Sequence, residues 1–269
     1  MTASLGERAG TMQVEVLGNR LEYRWIGPGA AEAPTIVFLH EALGSVSTWR
    51  DFPDRLAAAS ACGALVYSRA GHGRSGPLSA PRSDRYLHDE ALDVLPEVMS
   101  RFRIGNAVLF GHSDGASIAV VFAGAHSAAV RGLVLEASHV FVEEEALAGI
   151  RRTLDAWETT NLKERLARHH GDNTEALFHA WADTWRRPSF RTWNIESYLS
   201  DFTCPVLVIQ GEGDTYGTLR QVEAVVTKAG GPARSLVLSG CGHAPHSEKT
   251  EEVLSAAAPF IRAAVAGDA

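Results

Sequence analysis

Six short runs of apolar residues are spread along the chain, and each run predicts a buried β-strand. The runs are three to five residues long and rich in Val, Ile and Leu, and they lack the alternation of polar and apolar positions that marks a half-exposed strand. Continuous runs of this kind are typical of a parallel sheet that is covered by helices on both faces. The predicted strands cover residues 35–39, 64–67, 107–110, 133–135, 206–209 and 235–238.

The first part of the chain has a different pattern. Apolar residues alternate with polar ones over 14–16 and again over 21–25, on either side of Gly18-Asn19. Alternation on both sides of a turn dipeptide predicts a two-stranded hairpin.

Stretches of helical character fill the intervals between the predicted strands. Within 83–103, Leu92, Leu95, Met99 and Phe102 follow one another at spacings of three and four, and Pro96 is expected to kink or split this helix. Strands that alternate with helices imply βαβ units and right-handed crossovers. The pattern therefore predicts an α/β fold with a mostly parallel central sheet and flanking helices over 48–61, 83–103, 114–126, 221–228 and 248–264.

One region interrupts this alternation. Residues 139–200 contain no strand candidate and three helix-like segments, at 143–159, 162–170 and 174–185. We interpret 139–200 as a helical cap inserted into a single core domain made of 1–138 and 201–269, and plain helical padding is the alternative. The region also holds four of the six tryptophans, which are Trp157, Trp181, Trp185 and Trp193.

Composition and charge exclude several classes of protein. The chain has 269 residues, is 45% hydrophobic and 21% charged, and carries a formal net charge of −7. This apolar content excludes intrinsic disorder and allows a large core. Binding to nucleic acid or to an anionic membrane needs clustered Lys and Arg, and the acidic balance argues against both. No apolar run approaches the roughly 18 residues that span a bilayer.

The N-terminus and the cysteines indicate the cell compartment. Residues 1–8 lack an apolar core, so we expect no signal peptide. Cys62, Cys204 and Cys241 are isolated and form neither a disulfide framework nor a Cys-x-x-Cys metal site. Their odd number fits a reducing cytosol, and we expect a cytoplasmic protein.

The strongest chemical signal is Gly111-His112-Ser113-Asp114-Gly115. It follows a predicted strand and leads directly into an apolar helix, which is the context of a G-x-S-x-G nucleophile elbow. The serine of such a turn has a strained backbone, so the residues two before and two after it must be small. We therefore expect Ser113 to be a nucleophile.

A serine nucleophile needs a base and an orienting carboxylate. His243 lies in the loop after strand 235–238, and Asp214 lies just past strand 206–209. The order Ser113, Asp214, His243 is that of the α/β-hydrolases. The competing residues are His246 for the base, and Glu212 and Glu136 for the carboxylate.

The oxyanion that forms during attack needs two backbone N–H donors. We expect these from Asp114, which follows the nucleophile, and from Ala42, in the loop after strand 35–39. His40 and His72 fit roles in shaping loops. His169 and His170 are adjacent on a helix and therefore face apart, so we expect no metal pair there. The mechanism requires neither a metal nor an organic cofactor.

Because of these motifs, the chain resembles the α/β-hydrolase superfamily over nearly its whole length. The resemblance rests on Leu39-His40, the glycine-rich loop 68–75, the elbow at Ser113, Gly213-Asp214 and Gly242-His243. The chain departs from the family pattern at two positions. Glu41 stands where many members have glycine in the oxyanion loop, and Ser68 replaces the Asp that commonly precedes the glycine-rich loop.

The resemblance implies a serine hydrolase that cleaves a carboxylic ester or lactone through an acyl-enzyme. The modest charge and the lack of a basic bias favour an apolar or neutral small-molecule substrate. A serine at the nucleophile position argues against haloalkane dehalogenases and epoxide hydrolases, which need an Asp there. Carbon–carbon bond hydrolases, amidases, acyltransferases and cofactor-free haloperoxidases share the scaffold and remain alternatives. A non-catalytic receptor that captures a ligand under the cap is a further alternative.

Overall fold

The computed structural model describes residues 11–267, and within them eight strands form one sheet. Residues 1–8, where we expect no signal peptide, lie outside the described residues. The strands are β1 (Met12–Val16), β2 (Asn19–Ile26), β3 (Thr35–Leu39), β4 (Gly63–Tyr67), β5 (Ala107–His112), β6 (Val130–Glu136), β7 (Val206–Gly211) and β8 (Ala233–Leu238).

The strand order across the sheet is β1-β2-β4-β3-β5-β6-β7-β8. The pairs β1–β2 and β2–β4 are antiparallel, and every other neighbouring pair is parallel. The prediction of a mostly parallel sheet is therefore confirmed. The carboxyl ends of the parallel strands lie at the same end of the sheet, where the loops after β3, β5, β7 and β8 meet.

All six strands predicted from apolar runs are present, as β3 to β8. Every residue of β3, β4, β5 and β7 is buried, as such runs predict. The expectation of burial on both faces is wrong for β8, in which Leu238 is the one buried residue of six. The reason is its place at the edge of the sheet, where fewer elements cover it.

The predicted hairpin is formed by β1 and β2, but its turn lies one residue earlier than expected. Val16 pairs with Asn19, so Leu17 and Gly18 form the turn. Both have positive φ angles, 48° and 75°, which a two-residue hairpin turn requires. The glycine therefore occupies the second turn position, and Asn19 belongs to the strand.

Helices lie on both faces of the sheet. They are α1 (Phe52–Ser60), α2 (Tyr86–Asp89), α3 (Leu95–Arg101), α4 (Asp114–Ala125), α5 (Glu144–Thr159), α6 (Leu162–His170), α7 (Thr174–Arg186), α8 (Leu219–Lys228), α9 (Pro245–Glu248) and α10 (Thr250–Ala266). One apolar layer includes α4, and the layer on the opposite face includes α1 and α10. None of the helices in residues 11–267 is long and apolar enough to cross a membrane.

Three helical predictions need refinement. The segment 48–61 is a 3₁₀ turn, Val46–Trp49, followed by α1, and 248–264 is divided between α9 and α10. The segment 83–103 neither splits nor ends at Pro96, because a π-helical turn, Glu90–Val94, joins α2 to α3. Proline lacks an N–H, and the wider π register just before it takes up the interrupted hydrogen-bond ladder.

The helical segment between β6 and β7 leaves the core through a narrow neck. Phe141 and Asn194 form an isolated antiparallel bridge, and the Ile195 N–H donates to the Val140 carbonyl at 2.8 Å. The chain between these two points contains α5, α6 and α7. We call residues 142–193 the insertion.

Candidate active site

Ser113 lies in a sharp turn between β5 and α4. Its φ of 53° and ψ of −114° are unfavourable for a residue with a side chain. The flanking glycines make this turn possible, because a Cβ at Gly115 would collide with the Leu39 carbonyl and a Cβ at Gly111 would collide with the Gly115 carbonyl. The elbow therefore has the strand, turn and helix that the motif predicts.

The structure brings the three residues of the expected triad together. His243 Nε2 lies 3.0 Å from Ser113 Oγ, and His243 Nδ1 lies 2.8 and 2.9 Å from the two carboxylate oxygens of Asp214. Because Nδ1 faces a carboxylate it carries the hydrogen, and Nε2 accepts from the serine hydroxyl. Gln210 Nε2 and the Tyr216 N–H hold the carboxylate at 2.7 and 2.8 Å.

The pair of His243 and Asp214 favours the protonated imidazole. Burial lowers the pKa of His243, but its hydrogen bond with Asp214 and the charge of that carboxylate outweigh burial and raise the pKa above its usual value; Glu41 and Glu136 add to the increase. Burial raises the pKa of Asp214, and the same hydrogen bond and charge from His243 reverse this and lower it. The arrangement stabilises the cation that forms when His243 takes a proton.

The side chains of the rivals His246 and Glu136 bind each other and not the side chains of the triad; the Glu136 carbonyl accepts from the Ser113 N–H at 2.9 Å. His246 Nδ1 lies 2.6 Å from Glu136 Oε2, and the His246 N–H donates to Glu136 Oε1. Next to them, His112 Nε2 donates to the His243 carbonyl at 2.7 Å. One nitrogen or oxygen atom from each of His112, Glu136 and His246 lies within 4.8 Å of the other two. The hydrogen bonds of these residues anchor the loop that carries His243. Glu212, the third rival, is exposed.

The loop after β3 contains the candidate oxyanion donor. The Leu43 N–H donates to Glu41 Oε2 at 2.7 Å, so this amide is already used. Among residues 11–267, the backbone N–H groups of Ala42 and Asp114 donate to no protein acceptor. They are thus available for a ligand next to Ser113.

Glu41 is the unusual residue of this loop. Its side chain bends towards the backbone N–H of Leu43 and lines the cavity in front of Ser113. Burial raises the pKa of the Glu41 carboxyl, against the opposing effects of the Leu43 N–H and of His243. An acidic group therefore faces the site at which a negative charge would develop.

The second departure from the family pattern is compensated by a neighbouring strand. Ser68 Oγ donates to the buried carboxylate of Glu22 at 2.8 Å and accepts from the Val46 N–H at 2.9 Å. The Arg74 N–H also donates to Glu22, at 2.9 Å. Glu22, on β2, supplies a carboxylate to the start of the glycine-rich loop, and sequence analysis did not identify it because the contact spans 46 residues.

Two histidines of the insertion bind core loops. His170 Nδ1 accepts from the Gly73 N–H and Nε2 donates to the Leu43 carbonyl, both at 2.9 Å. His169 Nδ1 contacts Ser47 Oγ at 2.7 Å. Burial lowers the pKa of His170 to about 4, so the neutral ring forms this bridge at neutral pH.

A cavity of about 470 Å³ separates the insertion from the core and opens at Ser113. His139, which sequence analysis did not single out, also lines it, and burial lowers its pKa to about 4. Of the four tryptophans in the cap region, Trp181 and Trp185 line the cavity. The insertion contributes one cation, Arg152, one hydroxyl, Thr153, and otherwise apolar residues, which are Ala146, Gly149, Ile150, Ala156, Leu162, Leu166, Trp181 and Trp185.

Comparison with known proteins gives the class. The sequence model of the Alpha/beta hydrolase family matches residues 36–256, and the chain belongs to this family. The fold class predicted from the sequence is thereby confirmed.

Three proteins that are similar to this chain are named for three different activities. The 2-succinyl-6-hydroxy-2,4-cyclohexadiene-1-carboxylate synthase of Klebsiella pneumoniae is 29% identical over 164 residues, which are 60% of this chain and 57% of that protein. The esterase RhEst1 of Rhodococcus sp. ECU1013 has a TM-score of 0.69 and 21% identity, over 93% of this chain and 98% of that chain. An enol-lactonase from Burkholderia xenovorans LB400 has a TM-score of 0.71 and 20% identity, over 93% and 99%. At these identities the two structures show the fold alone.

Proposed function

We propose that the protein is a serine hydrolase that cleaves a carboxylic ester or lactone. The observation that carries the proposal is the continuous chain of hydrogen bonds from Ser113 through His243 to Asp214. A strained, buried serine whose hydroxyl faces a paired imidazole is the arrangement that makes a weak nucleophile reactive.

In the first half of the reaction, Ser113 Oγ attacks the carbonyl carbon and its proton passes to His243 Nε2. The carbonyl oxygen becomes an oxyanion, which the N–H groups of Ala42 and Asp114 stabilise. When the carbon–oxygen bond of the ester breaks, the imidazolium returns the proton to the leaving alcohol, and the acyl group stays on Ser113. Asp214 keeps the imidazole oriented and remains ionised.

In the second half, a water molecule replaces the alcohol. His243 removes its proton, the hydroxide attacks the acyl carbon, and the same two amides stabilise the new oxyanion. Collapse returns the proton to Ser113 Oγ and releases the carboxylic acid. No step requires a group beyond the triad, the two amides and water.

The charges around the cavity favour a neutral substrate over an acidic one. Glu41 lies beside the reacting atoms. Arg152 is exposed and its guanidinium binds the Thr215 carbonyl at 2.9 Å. A carbon–carbon bond hydrolase would place an acidic dienoate here, and Glu41 would repel its carboxylate. An apolar ester or lactone fits the apolar lining without this penalty.

We also propose that 139–200 acts as a cap over a core domain of 1–138 and 201–269. The support is that α5, α6 and α7 line the cavity on the side opposite the triad. His170 ties this region to the two loops next to the site. The cap would select the acyl and alcohol groups, and the core would supply the chemistry.

The test is a Ser113→Ala variant assayed with 4-nitrophenyl acetate and labelled with a fluorophosphonate probe. Loss of turnover and labelling, with an unchanged circular dichroism spectrum, is expected. Ser138→Ala is the matched control, because this buried hydroxyl has no hydrogen-bond partner among the described residues. Undiminished activity in Ser113→Ala would refute the proposal.

A substrate panel separates the alternatives. The purified protein should hydrolyse esters or lactones faster than amides or vinylogous diketones, and faster turnover of either of the last two would identify an amidase or a carbon–carbon bond hydrolase. Tight ligand binding without turnover or labelling would identify a receptor.

A further inference from the structure

Arg69 lies behind the candidate oxyanion site, where three loops meet. It follows β4, and its side chain reaches the loop after β3 and the elbow after β5. Only 2% of Arg69 is exposed, and its side chain is among the largest of the fully buried ones in the described residues. A buried guanidinium is expensive unless its charge and its N–H groups are matched.

The first group that Arg69 contacts is the peptide bond between Glu41 and Ala42. Arg69 Nη2 donates to the Glu41 carbonyl at 3.0 Å. In a trans peptide the C=O and the following N–H point in opposite directions. Fixing the carbonyl towards Arg69 therefore directs the Ala42 N–H away from it, on the side of the loop that lines the cavity.

His40 assists at the same carbonyl. Its Nε2 accepts the Arg69 backbone N–H at 3.0 Å, so in the neutral ring the hydrogen is on Nδ1, which donates to the Glu41 carbonyl at 2.7 Å. The Gly44 N–H donates there too, at 3.1 Å. Burial and the charge of Arg69 hold the pKa of His40 well below its usual value and maintain this neutral form.

The second group is Asp114, whose own N–H is the other candidate donor. Arg69 Nη1 lies 3.4 Å from Asp114 Oδ2, which also accepts from the Tyr86 hydroxyl at 2.9 Å. Trp185 Nε1 donates to that hydroxyl at 2.8 Å. The carboxylate is thus occupied by a cation and a phenol.

We propose that Arg69 is a positioning residue for the oxyanion hole, because one guanidinium links the Glu41–Ala42 peptide to Asp114 and sets the two N–H donors relative to each other. The inference rests on the proposed hydrolase function. Ala42 and Asp114 belong to loops that are distant in the chain, and the fork of the guanidinium bridges both. Without it the Glu41–Ala42 peptide keeps only the hydrogen bonds from His40 and Gly44, and the Glu41 side chain beside it loses a nearby cation.

The test compares Arg69→Met and Arg69→Lys with a matched control. Arg24→Met is suitable because Arg24 is also a mostly buried arginine with a carboxylate partner, Asp54 on α1. Among the described residues it makes no hydrogen bond with either of the two oxyanion loops. The readouts are kcat and KM for 4-nitrophenyl acetate, Tm, and inhibition by two ligands of similar size. Phenylboronic acid forms a tetrahedral anionic adduct with the serine, and benzamide is planar and neutral.

Loss of a well-placed oxyanion donor lowers kcat by about 10²–10³-fold, and misplacement of one should lower it by about 10- to 100-fold in Arg69→Met. KM and the benzamide affinity should change less than about twofold, whereas the boronate affinity should fall with kcat. Arg69→Lys should lie between Arg69→Met and the wild type, because an ammonium is a point charge that cannot bridge both groups. Arg24→Met should lower Tm without separating the two inhibitors.

Equal losses of boronate and benzamide affinity in Arg69→Met, or a kcat like that of the wild type, would overturn the inference. If Arg69→Met does not fold, Arg69→Lys decides by the same ratio of inhibitors. If the wild type neither hydrolyses an ester nor binds the boronate, the proposed function is wrong and this inference with it. A wild type that does both while the Arg69 variants match it refutes the inference alone.

Discussion

The elbow should be less stable than a relaxed turn, and substitutions at Ser113 can measure by how much. Ser113→Ala and Ser113→Gly both remove the hydroxyl and its hydrogen bond with His243. They differ in the Cβ, which alanine retains at φ 53° and ψ −114° and glycine lacks. The difference in stability between the two variants therefore reports the backbone strain.

Two effects of opposite sign determine the size of this difference. A residue with a Cβ in such a sparsely populated region costs about 1–3 kcal/mol, which glycine avoids. Glycine loses more conformational entropy on folding, which costs about 0.5–1 kcal/mol. We expect Ser113→Gly to be more stable than Ser113→Ala by about 1 kcal/mol, or about 2–4 °C in Tm for a chain of this size.

Urea unfolding of both variants, followed by circular dichroism, measures the difference. Ala61→Gly is a matched positive control. Ala61 is the residue that follows α1 and has a φ of 55°, so glycine at this position should also stabilise the protein. Both Ser113 variants should lack esterase activity. If Ser113→Gly is less stable than Ser113→Ala, backbone strain at Ser113 is refuted.

Three further outcomes are expected. Burial lowers the pKa of His243, Asp214 raises it, and the charge of Glu41 adds to the increase. Glu41→Gln should therefore lower this pKa and move the acid limb of the kcat/KM profile for a neutral ester to lower pH. An acid limb at the wild-type pH would contradict this. Glu136→Gln should lower the free energy of unfolding by about 1–3 kcal/mol, because His246 loses its buried carboxylate partner. A free energy from urea unfolding equal to that of the wild type would be inconsistent with this prediction. Gly115→Ala should lose about 4 kcal/mol or more of stability, because a Cβ at this position collides with the Leu39 carbonyl of β3. Urea unfolding at the wild-type midpoint would show the collision to be wrong.

Local patterns predicted much of this molecule. The apolar runs identified β3 to β8 because a strand buried on both faces needs apolar residues at every position. The elbow was recognisable because small residues at positions 111 and 115 are a local steric requirement of the turn. The loops after β5, β7 and β8 carry Ser113, Asp214 and His243, and parallel strands bring those loops to one edge.

Pairings between distant residues could not be predicted in this way. Glu136 and His246 are 110 residues apart, and each alone was a plausible member of the triad. Arg69 and Asp114 are 45 residues apart, and nothing local distinguishes Arg69 from an exposed arginine. The exposure of β8 was missed for a related reason, since the edge position follows from strand order and not from the composition of the strand.

The neck of the insertion has an evolutionary consequence. Because Phe141 and Asn194 pair directly, the two ends of residues 142–193 lie side by side, and the core meets them as it would meet a hairpin. A segment of another length or shape could enter and leave the core at this point without moving the ends of β6 and β7. Phe141 and Asn194 are therefore natural crossover points for exchanging the insertion in an engineered chain, and a replacement has to supply the contacts that His170 and Trp185 make with the core.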